Sequence, residues 1–298
     1  MSVEKLLSHY GFFRIKTATP LIRKQKNDLF KEHLRTLISS CESRVIIGDS
    51  IVSGLFRYSD VKTNLLGNFI NLGVSGDKIQ HVLWRAENLE FPCSIKEVTI
   101  VCGTNNLEEC TTIDISNGII CIALVLVMRN PSIKVFINGL LPRNEHDSSF
   151  RDKIKSVNLH LQNSCRDINE EKEIDIFYIH PEPDWTLSNG LLDSNLFWKD
   201  QLHLSKNGSI KLAKAILKNI TSTKKVSSKY ETLSNNILVN DAAFPCLTIQ
   251  SSPYVSPCPV PCEKSYASVL YYAPSPYKCQ SRSSYRKPVK PVVHRKKS

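Results

Sequence analysis

The chain has 298 residues, 41% of them apolar, and 39 Lys and Arg against 28 Asp and Glu, a formal charge of +11. It is long enough to bury a full α/β core, and its longest apolar run, the ten residues Ile119–Met128, is too short to cross a bilayer. The charge belongs to the ends: residues 221–298 hold 12 basic and 3 acidic residues and residues 1–40 hold 8 and 3, while 41–220 are net −3.

Residues 1–22 read as an N-terminal extension. Met1–Tyr10 has neither an apolar h-region nor a small-residue cleavage site. Of the ten cysteines, several sit in apolar runs such as Val101-Cys102 and Ile120-Cys121-Ile122, where they act as small hydrophobes. Mostly reduced thiols are therefore expected, in the cytoplasm or, given the basic tail, the nucleus. Lys24–Ser40 has the spacing of an amphipathic helix with Leu29, Phe30, Leu34, Leu37 and Ile38 on one side. A short apolar strand, Arg44–Ile47, follows and closes on Gly48-Asp49-Ser50.

Four more strand-like runs come next: Asn68–Leu72, Glu97–Cys102, Ile133–Asn138 and Ile174–Ile179. Helical stretches are predicted at about 77–88, 114–130, 148–166 and 206–220 from apolar spacing. Short apolar strands alternating with helices predict a parallel sheet covered on both faces, an α/β/α sandwich. Such sheets place their chemistry beyond the carboxyl ends of the strands. Residues 223–298 are rich in Ser, Pro, Lys and Tyr, and that composition predicts a disordered basic tail. The compact domain is expected over 23–222.

The residues that follow the strands form a coherent set. The first strand delivers Ser50, the second Gly73-Val74-Ser75-Gly76-Asp77 and the third Gly103-Thr104-Asn105-Asn106. Asp200-Gln201-Leu202-His203 then precedes a helix that Ser205 is placed to cap. A serine hydroxyl becomes a nucleophile only when a base accepts its proton. His203 is the candidate base, and its second nitrogen needs an acceptor such as Asp200 to fix the tautomer. The oxyanion formed on attack needs donors already in place. The backbone N–H groups of Ser50 and Gly76 and the side-chain amide of Asn105 are the candidates.

In order and in placement these four blocks resemble the SGNH (GDSL) hydrolase superfamily. The similarity extends to the catalytic subunits of intracellular platelet-activating-factor acetylhydrolase. It is carried by Asn71–Asp77, His81-Val82-Leu83-Trp84-Arg85, Gly103–Asn106, Gly139-Leu140-Leu141-Pro142-Arg143 and Leu202-His203-Leu204, within about residues 42–220. The resemblance implies a flavodoxin-like sheet of about five strands, no metal or other cofactor, and hydrolysis of a small acyl ester, an acetyl ester above all. It implies Ser50, Asp200 and His203 as triad, with Ser50, Gly76 and Asn105 around the oxyanion. Ile51 stands where the motif has Leu, and neither the acidic stretch Arg166–Glu173 nor the tail has a counterpart. Similar domains also occur fused to unrelated segments, including in mobile-element proteins.

Some residues have plainer readings. Trp84 and Trp198 are expected in core packing, and Asp193 in a loop. Cys258, Cys262, Cys279 and His294 fit no standard zinc spacing. The rival function is a binding module that holds nucleic acid through its basic ends. Composition leaves the oligomeric state open.

Overall fold

The computed structural model describes residues 2–12, 15, 24–143, 148–172, 174–181 and 183–240. Residues 241–298 lie outside the described residues, and with them the predicted tail beyond Asn240 and its cysteines. The amino-terminal segment gives α1 (Val3–His9), capped by the Ser2 hydroxyl, and α2 (Lys24–Ser39). Leu37 is buried on α2, but Ile38 is 62% exposed, so the apolar face is narrower than its spacing predicts.

Five strands follow: β1 (Arg44–Gly48), β2 (Phe69–Gly73), β3 (Glu97–Val101), β4 (Lys134–Asn138) and β5 (Ile176–Ile179). They pair in parallel in the order β2-β1-β3-β4-β5. This is the flavodoxin-like order, whose switch point lies between β1 and β3. Each strand lies within two residues of its sequence prediction at both ends.

Helices cover both faces. On one lie α4 (Ile79–Asn88), α5 (Thr112–Arg129) and α6 (Ser148–Lys172); on the other lie α3 (Ser50–Leu55) and α7 (Lys206–Asn240). Side chains alternate along a strand, so each strand feeds both cores. On β1, Val45 and Ile47 enter the first core and Ile46 the second. On β4, Val135 and Ile137 point one way and Phe136 the other. Each such side chain stabilises the fold by about 1.5–3 kcal/mol when fully buried. The 18-residue helix α5 is on average long and apolar enough to cross a membrane, yet 67% of that stretch is buried inside the protein. A helix that packs against α4, α6, α1 and β4 must be apolar nearly all round.

The last helix departs from the prediction. It continues from Lys206 to Asn240, well past the end near residue 220 that apolar spacing predicts. The six cysteines among the described residues are free thiols, with Cys102, Cys121 and Cys165 buried.

Candidate active site

β1 ends at Gly48, where a side chain would collide with the Val101 carbonyl on β3. The close approach lets the Asp49 N–H donate to that same carbonyl at 3.3 Å. Asp49 caps α3, its Oδ1 accepting from the Ile51 N–H at 2.9 Å. Ser50 is thereby the first residue of a short helix, its hydroxyl at the edge of the switch point.

His203 reaches Ser50 from the far end of the chain. Its Nε2 lies 3.0 Å from Ser50 Oγ, and its Nδ1 lies 2.7 Å from Asp200 Oδ2. The other oxygen of Asp200 accepts from the backbone N–H groups of Leu202 at 3.1 Å and His203 at 3.0 Å. Partial burial pushes the Asp200 pKa up. The hydrogen bonds from the His203 ring and from those two amides outweigh it and hold the carboxyl below its usual range. The turn is achieved by Gln201 at φ +53°, the only non-glycine residue with positive φ among the described residues. Such a conformation costs about 1–2 kcal/mol. Ser205 then caps α7, accepting from the Gly208 N–H at 3.2 Å.

The expected oxyanion donors come from the ends of β1, β2 and β3. Gly76 has φ +73°, and a side chain there would meet nothing, so the glycine serves its backbone angle and faces open space. The N–H groups of Ser50 and Gly76 donate to no other group among the described residues. Asn105 Nδ2 donates to the Asp77 carbonyl at 2.9 Å, which ties the β3 turn to the β2 turn and leaves a second amide hydrogen. Asn106 Oδ1 accepts from the Ile79 N–H at 2.9 Å and strengthens that tie.

Arg85 lies beneath these turns, 4% exposed. It donates to the Gly48 carbonyl at 2.8 Å, the Leu72 carbonyl at 2.6 Å and Asp77 Oδ2 at 3.0 Å. One guanidinium thus clamps the ends of β1 and β2 and the loop after Gly76. Sequence reasoning quoted Arg85 and Asp77 in its motif blocks without assigning them this work. Asp49 is 1% exposed beside the clamp, and burial pushes its carboxyl up to about 7.

A cavity of about 60 Å³ contains Ser50 and His203, lined also by Ser53, Ser75, Arg57 and Leu204. A larger one, about 330 Å³, lies beyond β4 and β5 and holds none of these groups. Trp84 packs on Phe30 as expected, with ring centroids 5.0 Å apart. Trp198 does not belong to the core: it is 41% exposed and stands 6.5 Å from the His203 ring. Asp193 is a loop residue, accepting from the Asn195 N–H at 2.9 Å.

No family model matches the sequence. Over 175 residues the chain is 31% identical to the alpha1 subunit of platelet-activating factor acetylhydrolase IB from Bos taurus, covering 58% of this chain and 72% of that protein. The alpha2 subunit from Rattus norvegicus is 30% identical over 202 residues, covering 64% and 83%. The chain belongs to the SGNH (GDSL) hydrolase superfamily. A GDSL-like lipase from Bacteroides thetaiotaomicron has the same fold, with TM-score 0.53 and 19% identity over 65% of this chain and 98% of that one. As an SGNH hydrolase the protein is a carboxylic ester hydrolase.

Proposed function

We propose that the protein is a serine esterase that cleaves short acyl esters, acetyl esters above all, through an acyl-enzyme on Ser50. The observation that carries this reading is the unbroken line from Ser50 Oγ through the His203 ring to Asp200. Asp200, held as a carboxylate, can only accept, so His203 Nδ1 carries the proton. In the neutral ring Nε2 is then free to take the Ser50 proton as the hydroxyl attacks the ester carbonyl. The developing oxyanion meets the N–H groups of Ser50 and Gly76 and the Asn105 amide. His203 returns the proton to the leaving alcohol, and a water attacking the acyl-enzyme repeats the sequence.

The acyl size follows from the cavity. About 60 Å³ suits a short acyl group, whereas pockets for larger ligands run to about 300–1,000 Å³. The names of the alpha1 and alpha2 relatives, acetylhydrolase subunits, point the same way. Hydrolysis of p-nitrophenyl acetate, butyrate and octanoate tests the reading. kcat/KM is expected to be highest for acetate and to fall by more than ~10-fold at octanoate, the scale set by a few badly placed methylenes. A preference for octanoate would contradict it.

A further inference from the structure

The cavity around Ser50 has one wall with a fixed positive charge. Arg57, two residues beyond α3, lines it together with Ser50, Ser75 and His203. Its guanidinium carbon stands 4.6 Å from the centroid of the Trp198 ring. Trp198 is itself held on two sides. The indole N–H donates to the Tyr58 hydroxyl at 3.2 Å, and the backbone N–H donates to the His203 carbonyl at 2.8 Å. The arginine is therefore braced against the segment that carries the base. A guanidinium stacked on an indole keeps its in-plane N–H groups free for a planar or tetrahedral anion.

Among the described residues no carboxylate pairs with Arg57. Asp60 is paired with Lys206 Nζ at 2.6 Å and Asp200 with His203. The lining includes no acidic side chain. A substrate entering this cavity meets a pre-positioned cation that no carboxylate among the described residues pairs with, beside the nucleophile.

We propose that Arg57 is a specificity-determining residue that selects esters bearing an anionic group, carboxylate or phosphate, close to the scissile bond. The assignment rests on Ser50 being the nucleophile. A unit charge within a few ångströms in a partly hydrated site is enough for about a tenfold preference or more. Because the stacked fork is already ordered, little of that is lost to immobilising the side chain.

The test compares 4-acetoxybenzoate with its methyl ester, which share the acetyl group and the ring. Each is assayed with the wild-type protein, Arg57→Lys, Arg57→Gln and Arg57→Glu, and intrinsic reactivity cancels when the rate ratio is compared between proteins. The ratio of kcat/KM for the anion over the neutral ester is expected to fall about tenfold in Arg57→Gln and further in Arg57→Glu. Arg57→Lys, which keeps the charge, should retain most of it. Adding salt should shrink the wild-type preference. 4-Acetoxyphenyl phosphate distinguishes the two anions: a parallel loss shows recognition of charge, and a loss confined to one names that group. The same ratio in all four proteins would overturn the assignment while leaving esterase activity in place. Failure of the wild-type protein to cleave either ester would overturn the Ser50 reading, and the Arg57 assignment with it.

Discussion

The turns that carry Ser50, Gly76 and Asn105 are fastened to the interior, whereas the segment that carries Asp200 and His203 is fastened largely to itself. In the first region the anchors are buried: Gly48 against β3, Asp49 as a helix cap and Arg85 clamping two strand ends and Asp77. In the second, Asp200 and His203 keep 46% and 39% of their side chains exposed, and the bonds between them span three residues. The inward anchors of that segment are Phe197 and Leu204, which bridge each other and are buried in the second core. The difference fits the roles proposed for the two regions. An oxyanion donor must already point at its target before charge develops, because reorganising it would cost barrier height. A general base has to turn between the nucleophile and the leaving group, and a locally held turn permits that.

The largest effect is expected at the clamp. Arg85→Met breaks the buried ion pair with Asp77 and the bonds to the Gly48 and Leu72 carbonyls, a change that costs about 3–5 kcal/mol of stability. Thermal unfolding should show a drop in Tm of roughly 6–20 °C, and kcat of the folded remainder should fall while KM stays close to normal. An unchanged Tm would show that the turns are held by something else.

Next is Asn105→Ala. Loss of one oxyanion donor is expected to lower kcat by about 100-fold or more with little change in KM. A rise in KM at constant kcat would instead make Asn105 a ground-state substrate contact. Because its amide also reaches the Asp77 carbonyl, a modest fall in Tm should accompany the change.

The smallest effect separates the two regions by pH. Asp49 titrates near 7 in the folded protein, above its ordinary 3.8, so the native state binds more protons than the unfolded chain between those values. Its contribution is fully present below about pH 4 and is lost as pH rises toward 7. Asp200 has the opposite sign: its lowered pKa contributes above the carboxylate range and is lost in acid. Across pH 5–7.5 the Tm of the wild-type protein should therefore fall relative to Asp49→Asn and run parallel to that of Asp200→Asn. Parallel curves for wild-type and Asp49→Asn would show that Asp49 is ionised throughout.

Much of this was legible before any coordinates. The strands are legible because runs such as Arg44–Ile47 and Ile133–Asn138 are short and dominated by apolar, mostly β-branched residues, the pattern of strands buried on both faces. Ser50, Gly76, Asn105, Asp200 and His203 follow those strands or precede a helix, where parallel sheets place their chemistry. The α7 extension was hidden because composition averaged over 223–298 masks a shorter helical spacing of Val226, Tyr230, Leu233 and Ile237. Trp198 was misread because an indole serves equally as core filler and as a platform for a cation, and only the fold brings Arg57 to it. Arg85 was named in its motif, but its role depends on three carbonyl and carboxylate oxygens from separate turns, which no local pattern encodes.

The central claim is that Ser50 is a nucleophile activated by His203. Covalent labelling with a fluorophosphonate, read by mass spectrometry of the peptide containing Gly48-Asp49-Ser50, tests it without assuming a substrate. The account predicts a single adduct on Ser50 in the wild-type protein, none in Ser50→Ala, and labelling slowed by orders of magnitude in His203→Ala. An adduct that persists in Ser50→Ala, or a labelling rate indifferent to His203, would contradict it.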